Sequence, residues 1–315
     1  MIYDGILADG RSALRIAYII RAHHAPEQLA RLVRRLDSPE SAFLIHVNLR
    51  TSEHVFGEMQ RLLGANERVT WLPRIRCYYG GFSLVRAALI GVEASASLRP
   101  APDYTLLLSG QDYPIKPLSD IFAFFERGEG RSFVHHFPLP SPNWQREDGG
   151  LDRVRYWYFE RLAIRTRVLR VPVLERKFPR GFRPYGGSFL WALTANAIEY
   201  VERQARMDSE ILRFFRHVKY PDELFFQTLL LNSPLADEVA NEELHFIDWT
   251  TGSAHPRTLT RSDFEVLRES PKLFARKFDA RVDESILDEI DEQLLHVAND
   301  SRLKPAAESM APSKL

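Results

Sequence analysis

The chain has one cysteine in 315 residues, and that scarcity removes several chemistries at once. No intramolecular disulfide can form, no thiolate-rich metal site can be assembled, and Cys77 sits in no recognisable nucleophile motif. Net charge is missing too: 42 Lys and Arg balance 42 Asp and Glu, so a nucleic-acid partner held by bulk electrostatics is not expected. No run reaches the ~18 apolar residues of a membrane span. Met1 to Leu14, with Asp4, Asp9 and Arg11, lacks the basic and apolar regions of a signal peptide. The expectation is a soluble, cytoplasmic protein, with peripheral contact to a membrane left open. Also absent are a Gly-x-x-x-x-Gly-Lys-Ser/Thr phosphate loop, a Gly-x-Gly-x-x-Gly after the first strand, and a Gly-x-Ser-x-Gly elbow. Phosphate-loop, dinucleotide and serine-hydrolase sites are therefore disfavoured.

What is present is ample apolar material, 45% of residues, enough for one large α/β domain over residues 1–300. Residues 301–315, rich in Ala, Ser, Pro and Lys, read as a disordered tail. Arg15 to Ala22, Ala42 to Val47, Arg68 to Leu72 and Tyr104 to Ser109 read as strands. Between them, Glu27 to Leu36, Ser52 to Leu63 and Leu84 to Ser97 carry apolar residues at helical spacing. Such alternation predicts a mostly parallel sheet with helices on both faces. The run Tyr104-Thr-Leu-Leu-Leu-Ser109 stops at Gly110-Gln111-Asp112, and a rigid turn is expected from Pro114 to Pro117. Pro138, Pro140 and Pro142 speak against regular structure up to Gly150. Tyr185 to Leu193 reads as a strand entered through two glycines, which permit a bulge or close approach to a ligand. Thr194 is placed to cap the next helix. Lys219-Tyr-Pro-Asp-Glu223 reads as the start of a helix running to Leu231.

The polar punctuation follows the strands: His23-His24, Asn48, and Ser109 to Asp112. One edge of an open α/β sheet is where ligands bind, so His23, Asn48 and Asp112 are candidates there, although Asp112 equally suits fixing the turn. His23-His24 and His135-His136 lack a carboxylate or thiolate at ligand spacing, and no metal site is expected. Glu223, after Pro221, suits a general base, or a charge complementing the helix dipole. Arg257 and Lys277, each beside apolar strand-like residues, suit a diphosphate, or two surface ion pairs. Leu151 to Phe159 mixes arginines with aromatics, and the chain stays basic to Arg183. Arg153 and Trp157 are candidates there to grip a sugar ring or an anionic acceptor, with a solvated basic loop as the alternative.

Several stretches carry a family resemblance. They are Arg15-Ile-Ala-Tyr with His23-His24, Phe43-Leu-Ile-His-Val-Asn48, Tyr79-Gly-Gly-Phe-Ser-Leu84 and Leu107-Leu-Ser-Gly-Gln-Asp-Tyr-Pro-Ile-Lys116. Gly187-Ser-Phe, Pro221-Asp-Glu223 and Leu273-Phe-Ala-Arg-Lys-Phe-Asp279 follow in order. Together they resemble glycosyltransferase family 14, the core-2/I-branching β-1,6-N-acetylglucosaminyltransferases and peptide O-xylosyltransferases. The resemblance implies a single-domain GT-A-like (Rossmann-like) fold and an inverting transfer of GlcNAc or xylose. The donor would be a UDP-sugar, and the acceptor a hydroxyl of a glycan, glycolipid or protein, as in polysaccharide biosynthesis. It also implies no metal cofactor, with Ser109-Gly110-Gln111-Asp112 where other such enzymes carry an acid pair. Glu223 would be the base, Arg257 and Lys277 the cations on the leaving diphosphate. His23, Asn48 and Asp112 would lie on the donor side, and Arg153, Trp157, Gly187 and Ser188 on the acceptor side. The family usually has Asp where this chain has Asn48. A non-catalytic nucleotide-sugar or carbohydrate-binding protein on the same fold is the competing expectation.

Overall fold

The computed structural model describes residues 13–128, 130–160, 168–250 and 255–296; the expected tail at 301–315 lies outside them. The first half alternates as its apolar spacing predicts: β1 (Ile16–Ala22), α1 (Pro26–Leu36), β2 (Ser41–Val47), α2 (Glu53–Leu63), β3 (Val69–Trp71), α3 (Ser83–Ser97) and β4 (Tyr104–Ser109). Ser52 Oγ accepts from Val55 N–H at the start of α2, and Pro26 occupies the first turn of α1, both standard ways of handling unpaired N-terminal amides.

Then come β5 (Asp112–Pro114), α4 (Leu118–Glu126), β6 (Ser132–Pro138), α5 (Asp152–Arg155), β7 (Tyr156–Phe159), β8 (Leu169–Glu175) and β9 (Tyr185–Thr194). The rest comprises α6 (Ala195–Arg206), α7 (Glu210–Phe215), α8 (Phe225–Leu231), β10 (Val239–Ala240), β11 (His245–Ile247), α9 (Phe264–Glu269), β12 (Phe274–Arg276) and α10 (Ser285–Gln293).

The central sheet has the order β10-β6-β9-β4-β1-β2-β3. Strands β4, β1, β2 and β3 are parallel, and β9 runs antiparallel to both β4 and β6. Along β1, Ile16, Tyr18 and Ile20 pack with α1 and α2, while Ile19 packs with α3. Strand β4 repeats this, with Leu106 and Leu108 on the first face and Leu107 on the second. Both faces are covered, which is why these strands read as unbroken apolar runs. Because β1 connects outward to β2 while β3 returns across the opposite face to β4, the strand order reverses between β1 and β4. The crevice beyond their carboxyl ends is where such folds bind ligands.

Four local expectations are corrected. Asp112 to Pro114 is a strand rather than the lead into a turn: it pairs antiparallel with β12, and β12 pairs with β11, in a second, three-stranded sheet. Residues 142–150, expected to lack regular structure, form 3₁₀ turns. The helix expected from Lys219 is two pieces, a 3₁₀ turn Pro221–Glu223 and α8, separated at Leu224. The break lies at Leu224, whose φ of −132° is outside the helical range, so the 3₁₀ turn and α8 do not join into one continuous helix. The stretch from Leu151 to Arg183 also holds order: α5, and the β7–β8 hairpin.

Candidate active site

The reversal point gathers side chains from both halves of the chain. At the end of β1, Arg21 donates to the Leu84 carbonyl at 3.3 Å, pairs with Asp222 at 3.7 Å and lies 4.7 Å from the Phe189 ring centroid. Arg276, from β12, covers the same ring at 4.5 Å. Asp222 is buried, which pushes its carboxyl above the usual range, with Arg21 opposing the shift. Both guanidinium groups thus share the attraction of one aromatic ring.

Glu223 is on the next residue but one from Pro221, and its carboxylate pairs with Arg153, a side chain only 9% exposed. Arg153 lies flat over Trp144, 3.6 Å from its ring centroid, and 5.1 Å from that of Tyr220. Tyr220 reaches Tyr79, with centroids 5.3 Å apart, and Tyr79 reaches His255 at 4.9 Å. Partial burial and then the charges of Lys277 and Arg276 hold the His255 imidazole below its usual pKa. A rim of touching rings therefore runs from the carboxylate of Glu223 to the neighbourhood of Lys277. The Tyr79-Gly-Gly-Phe-Ser stretch owes its glycines to this packing. Gly80 has φ 74°, and a Cβ there would meet Tyr220 Cε1 at 2.9 Å. At Gly81 a Cβ would strike Glu160, whose carboxylate accepts from Ser83 N–H and Oγ at 3.1 and 2.8 Å at the start of α3.

The expected cations behave differently from each other. Arg257 is clamped by two carboxylates, Asp248 and Asp263, each at 2.6 Å, so its charge is balanced within the protein. Lys277 follows Arg276; its carbonyl accepts from Leu259 N–H at 2.9 Å, and the next residue, Phe278, donates to the Gln111 carbonyl at 2.8 Å. Arg276 itself, not expected from the sequence, is buried. Its nearest carboxylate is Asp112 at 3.6 Å, and its Nε and Nη1 have no hydrogen-bond partner among the described residues. An unsatisfied buried guanidinium is costly.

Asp112 does not present its carboxylate to a ligand. It is fully buried, accepts from Ser109 N–H at 2.8 Å and Ser109 Oγ at 2.9 Å, and faces His245 at 3.6 Å. The turn-fixing alternative describes it. Burial opposes charge on His245, but Asp112 and Glu243 outweigh it and raise its pKa.

Asn48 also works within the protein: its Oδ1 accepts from Arg50 N–H at 3.0 Å and Cys77 N–H at 3.3 Å, fixing the loop after β2. His23 stacks edge-on against His24, centroids 4.2 Å apart. Partial desolvation, then His24 and Arg281, lower its pKa to about 4, so it is neutral near pH 7. Burial pushes the Cys77 thiol up to about 11, which leaves it protonated.

On the opposite side, Gly187 is a structural glycine. It faces the irregularity in β6 between Val134 and His136, and a Cβ would fall 1.9 Å from the His135 carbonyl oxygen. The bulge reading of the glycine pair applies here. Ser188 Oγ accepts from Leu190 N–H at 3.3 Å, and its carbonyl accepts from Gln227. Trp157 lies on the hairpin, stacked with Phe159 and covered by Arg176 at 4.3 Å, rather than against Glu223. The partners Arg276, Arg21, Asp222, Tyr79 and His255 were not singled out from the sequence. Only the position of Arg21 at a strand end and of Tyr79 beside two glycines offered a signal.

Comparison with known proteins places this geometry. The chain is 28% identical over 303 residues to xylosyltransferase 2 of Rattus norvegicus, covering 88% of this chain and 33% of that protein. To xylosyltransferase 1 of Homo sapiens it is 26% identical over 302 residues, covering 88% and 30%. It spans about a third of the length of these curated relatives. Among solved structures, the galactosyltransferase LgtC with donor and acceptor sugar analogues superposes with a TM-score of 0.43 at 8% identity, covering 91% of this chain and 99% of that one. A family model described as Core-2/I-Branching enzyme matches residues 16–269, and the chain belongs to that family.

Proposed function

We propose that this chain is a UDP-sugar-dependent glycosyltransferase that transfers GlcNAc or xylose with inversion to a hydroxyl of a glycan, glycolipid or protein. The observation that carries the reading is the arrangement at the reversal point between β1 and β4. A carboxylate, Glu223, stands at one end of the Tyr220–Tyr79–His255 rim, and adjacent cations, Arg276 and Lys277, stand near the other.

In this mechanism Glu223 takes the acceptor hydroxyl proton as the acceptor oxygen attacks the anomeric carbon from the face opposite the diphosphate. Arg153 holds the carboxylate in place. Charge growing on the leaving UDP is met by Lys277 and Arg276, with Arg257 a weaker contributor because Asp248 and Asp263 share its charge. Fixed cations in a partly desolvated site stabilise such charge without a metal ion. His23 and Asn48 line the donor side, and Phe189 lies against Arg21, the partner of Asp222 next to the base.

Incubating the protein with UDP-xylose and UDP-GlcNAc, with and without EDTA, while following UDP release on an acceptor panel tests the proposal. Release that persists in EDTA is expected. Release abolished by EDTA would remove the metal-free mechanism, and no release with any donor would remove the activity. One observation favours a second reading, a binding protein without turnover: the Glu223 carboxylate is already occupied by Arg153. UDP binding by calorimetry with no turnover across the panel is the outcome that reading expects.

A further inference from the structure

The β7–β8 hairpin is the part of the molecule that the transfer chemistry does not use. Its two strands pair only with each other, so β8 leaves one edge open among the described residues. The strand also exposes aliphatic side chains: Val173 is 83% exposed, Leu174 59% and Leu169 47%, with Val173 and Leu174 in the stretch where the register with β7 shifts. Solvent-facing edge strands are ordinarily guarded by charge or kept short, and exposed aliphatic side chains gathered on one element mark a contact surface.

Positive charge accompanies them along the chain. Between residues 168 and 183 the chain carries Arg170, Arg176, Lys177, Arg180 and Arg183 against the single acid Glu175, in a protein whose total charge is zero. Two of these cations have internal work. Arg176 donates to the His217 and Phe214 carbonyls at 2.8 and 2.7 Å and so fixes the hairpin to the body of the fold. Arg170 lies over Tyr156 and 3.4 Å from Asp152. Lys177, Arg180 and Arg183 are exposed, and no carboxylate among the described residues pairs with them.

We propose that this hairpin is a membrane-contacting surface: Leu169, Val173 and Leu174 enter the interface of an anionic bilayer, and Lys177, Arg180 and Arg183 meet its headgroups. The combination selects the partner. A second copy of the chain would bring the same cations to the contact, with Glu175 as the only acid to meet them. An acidic polymer would satisfy the cations but leave Val173 and Leu174 in water. An anionic lipid surface satisfies both, through apolar burial at the headgroup boundary and attraction of basic side chains.

The hairpin also sits next to the base. Tyr158 N–H donates to the His217 carbonyl at 3.1 Å, and Lys219 N–H donates to that of Arg153 at 3.1 Å, so the segment leading to Glu223 is tied to it.

The test uses the full chain and sedimentation with phosphatidylcholine vesicles, alone or mixed with phosphatidylglycerol. Binding to the mixed vesicles, weakening as salt rises, is expected. Lys177→Glu with Arg180→Glu should lower partitioning about 25-fold or more, since each cation near an anionic bilayer is worth about fivefold. Val173→Asp with Leu174→Asp should abolish it, with melting temperature and UDP affinity unchanged in both variants. Three results would overturn the proposal: no binding to anionic vesicles, equal binding by wild type and variants, or a concentration-dependent dimer that Val173→Asp dissociates. Retention on an anionic polysaccharide without vesicle binding would overturn it as well. The readout needs no turnover, so it stands or fails separately from the proposed activity.

Discussion

The guanidinium of Arg153 hydrogen-bonds the carboxylate of Glu223 while lying face-on over Trp144. An arginine fixed by a ring on one side and a carboxylate on the other holds both partners in one orientation. In the proposed mechanism this is how a base at the end of a short turn keeps its aim. Glu223→Gln is expected to lower kcat by about 10²–10⁴-fold, the usual worth of a positioned general base, while UDP affinity by calorimetry changes little.

Arg153→Met keeps the stem over Trp144 and removes the fork. The expected result is a fall in kcat of about 10–100-fold with donor KM nearly unchanged, because positioning lost near the reacting atoms appears in the chemical step. A rise in donor KM alone would instead place Arg153 on the donor.

The two cations expected on the diphosphate separate by their partners. Lys277→Ala should weaken UDP binding about tenfold, the scale of one charge-assisted contact. Arg257→Gln should weaken it less than about threefold but lower the melting temperature, because Asp248 and Asp263 lose the group between them. Calorimetry with UDP and thermal melts of both variants distinguish the two roles.

His46 sits on β2 with its Nε2 accepting from Ile75 N–H at 3.3 Å, a bond that requires a neutral ring. Burial, then the charge of Arg21, lower its pKa to about 4, below the ~6.5 of an unfolded histidine. The unfolded chain therefore takes the proton first as pH falls. Stability from this residue is complete above about pH 6.5 and is lost down to about pH 4, by roughly 3 kcal/mol in all. Urea unfolding at pH 7 and pH 4.5 should show a smaller acid loss in His46→Gln than in wild type.

Gly187→Ala should destabilise by about 1–3 kcal/mol or more, since its Cβ would overlap a backbone carbonyl that cannot rotate away. A melting temperature lowered by about 5 °C or more is expected, with UDP affinity kept in the fraction that remains folded.

Strands β1, β2 and β4 were legible because burial on both faces writes itself as an unbroken apolar run, and their polar ends could be placed on one edge from the alternation alone. Glu223 and Lys277 could be named as candidates from the sequence, but their surroundings could not. The turn-fixing role of Asp112 rests on Ser109, three positions away, but its other neighbours, His245 and Arg276, lie more than 130 positions on, and no local pattern announces a pairing across that span. The same holds for Glu160 at the start of α3, separated from Ser83 by 77 positions. Trp157 was drawn toward the acceptor side by its arginine-rich company, yet the arginine that covers it, Arg176, spends its donors on the His217 and Phe214 carbonyls. The broken helix after Pro221 escaped because Leu224, where it breaks, is by composition a good helix former.

One amide makes the strand ends and the late cations a single mechanical unit. Gln28, buried in α1, donates through Nε2 to the Gly110 carbonyl at 3.0 Å and to the Phe278 carbonyl at 3.1 Å, and its Oε1 accepts from Ala280 N–H at 2.9 Å. Three bonds from one side chain fasten the turn after β4 to the segment just beyond Lys277, the amide itself lying 250 positions from Phe278 in sequence. The stretch that carries Lys277 therefore has no separate hinge on this side. Any shift of α1 along the sheet is transmitted to the cations proposed for the leaving group, so the first helix sets the registration of Lys277.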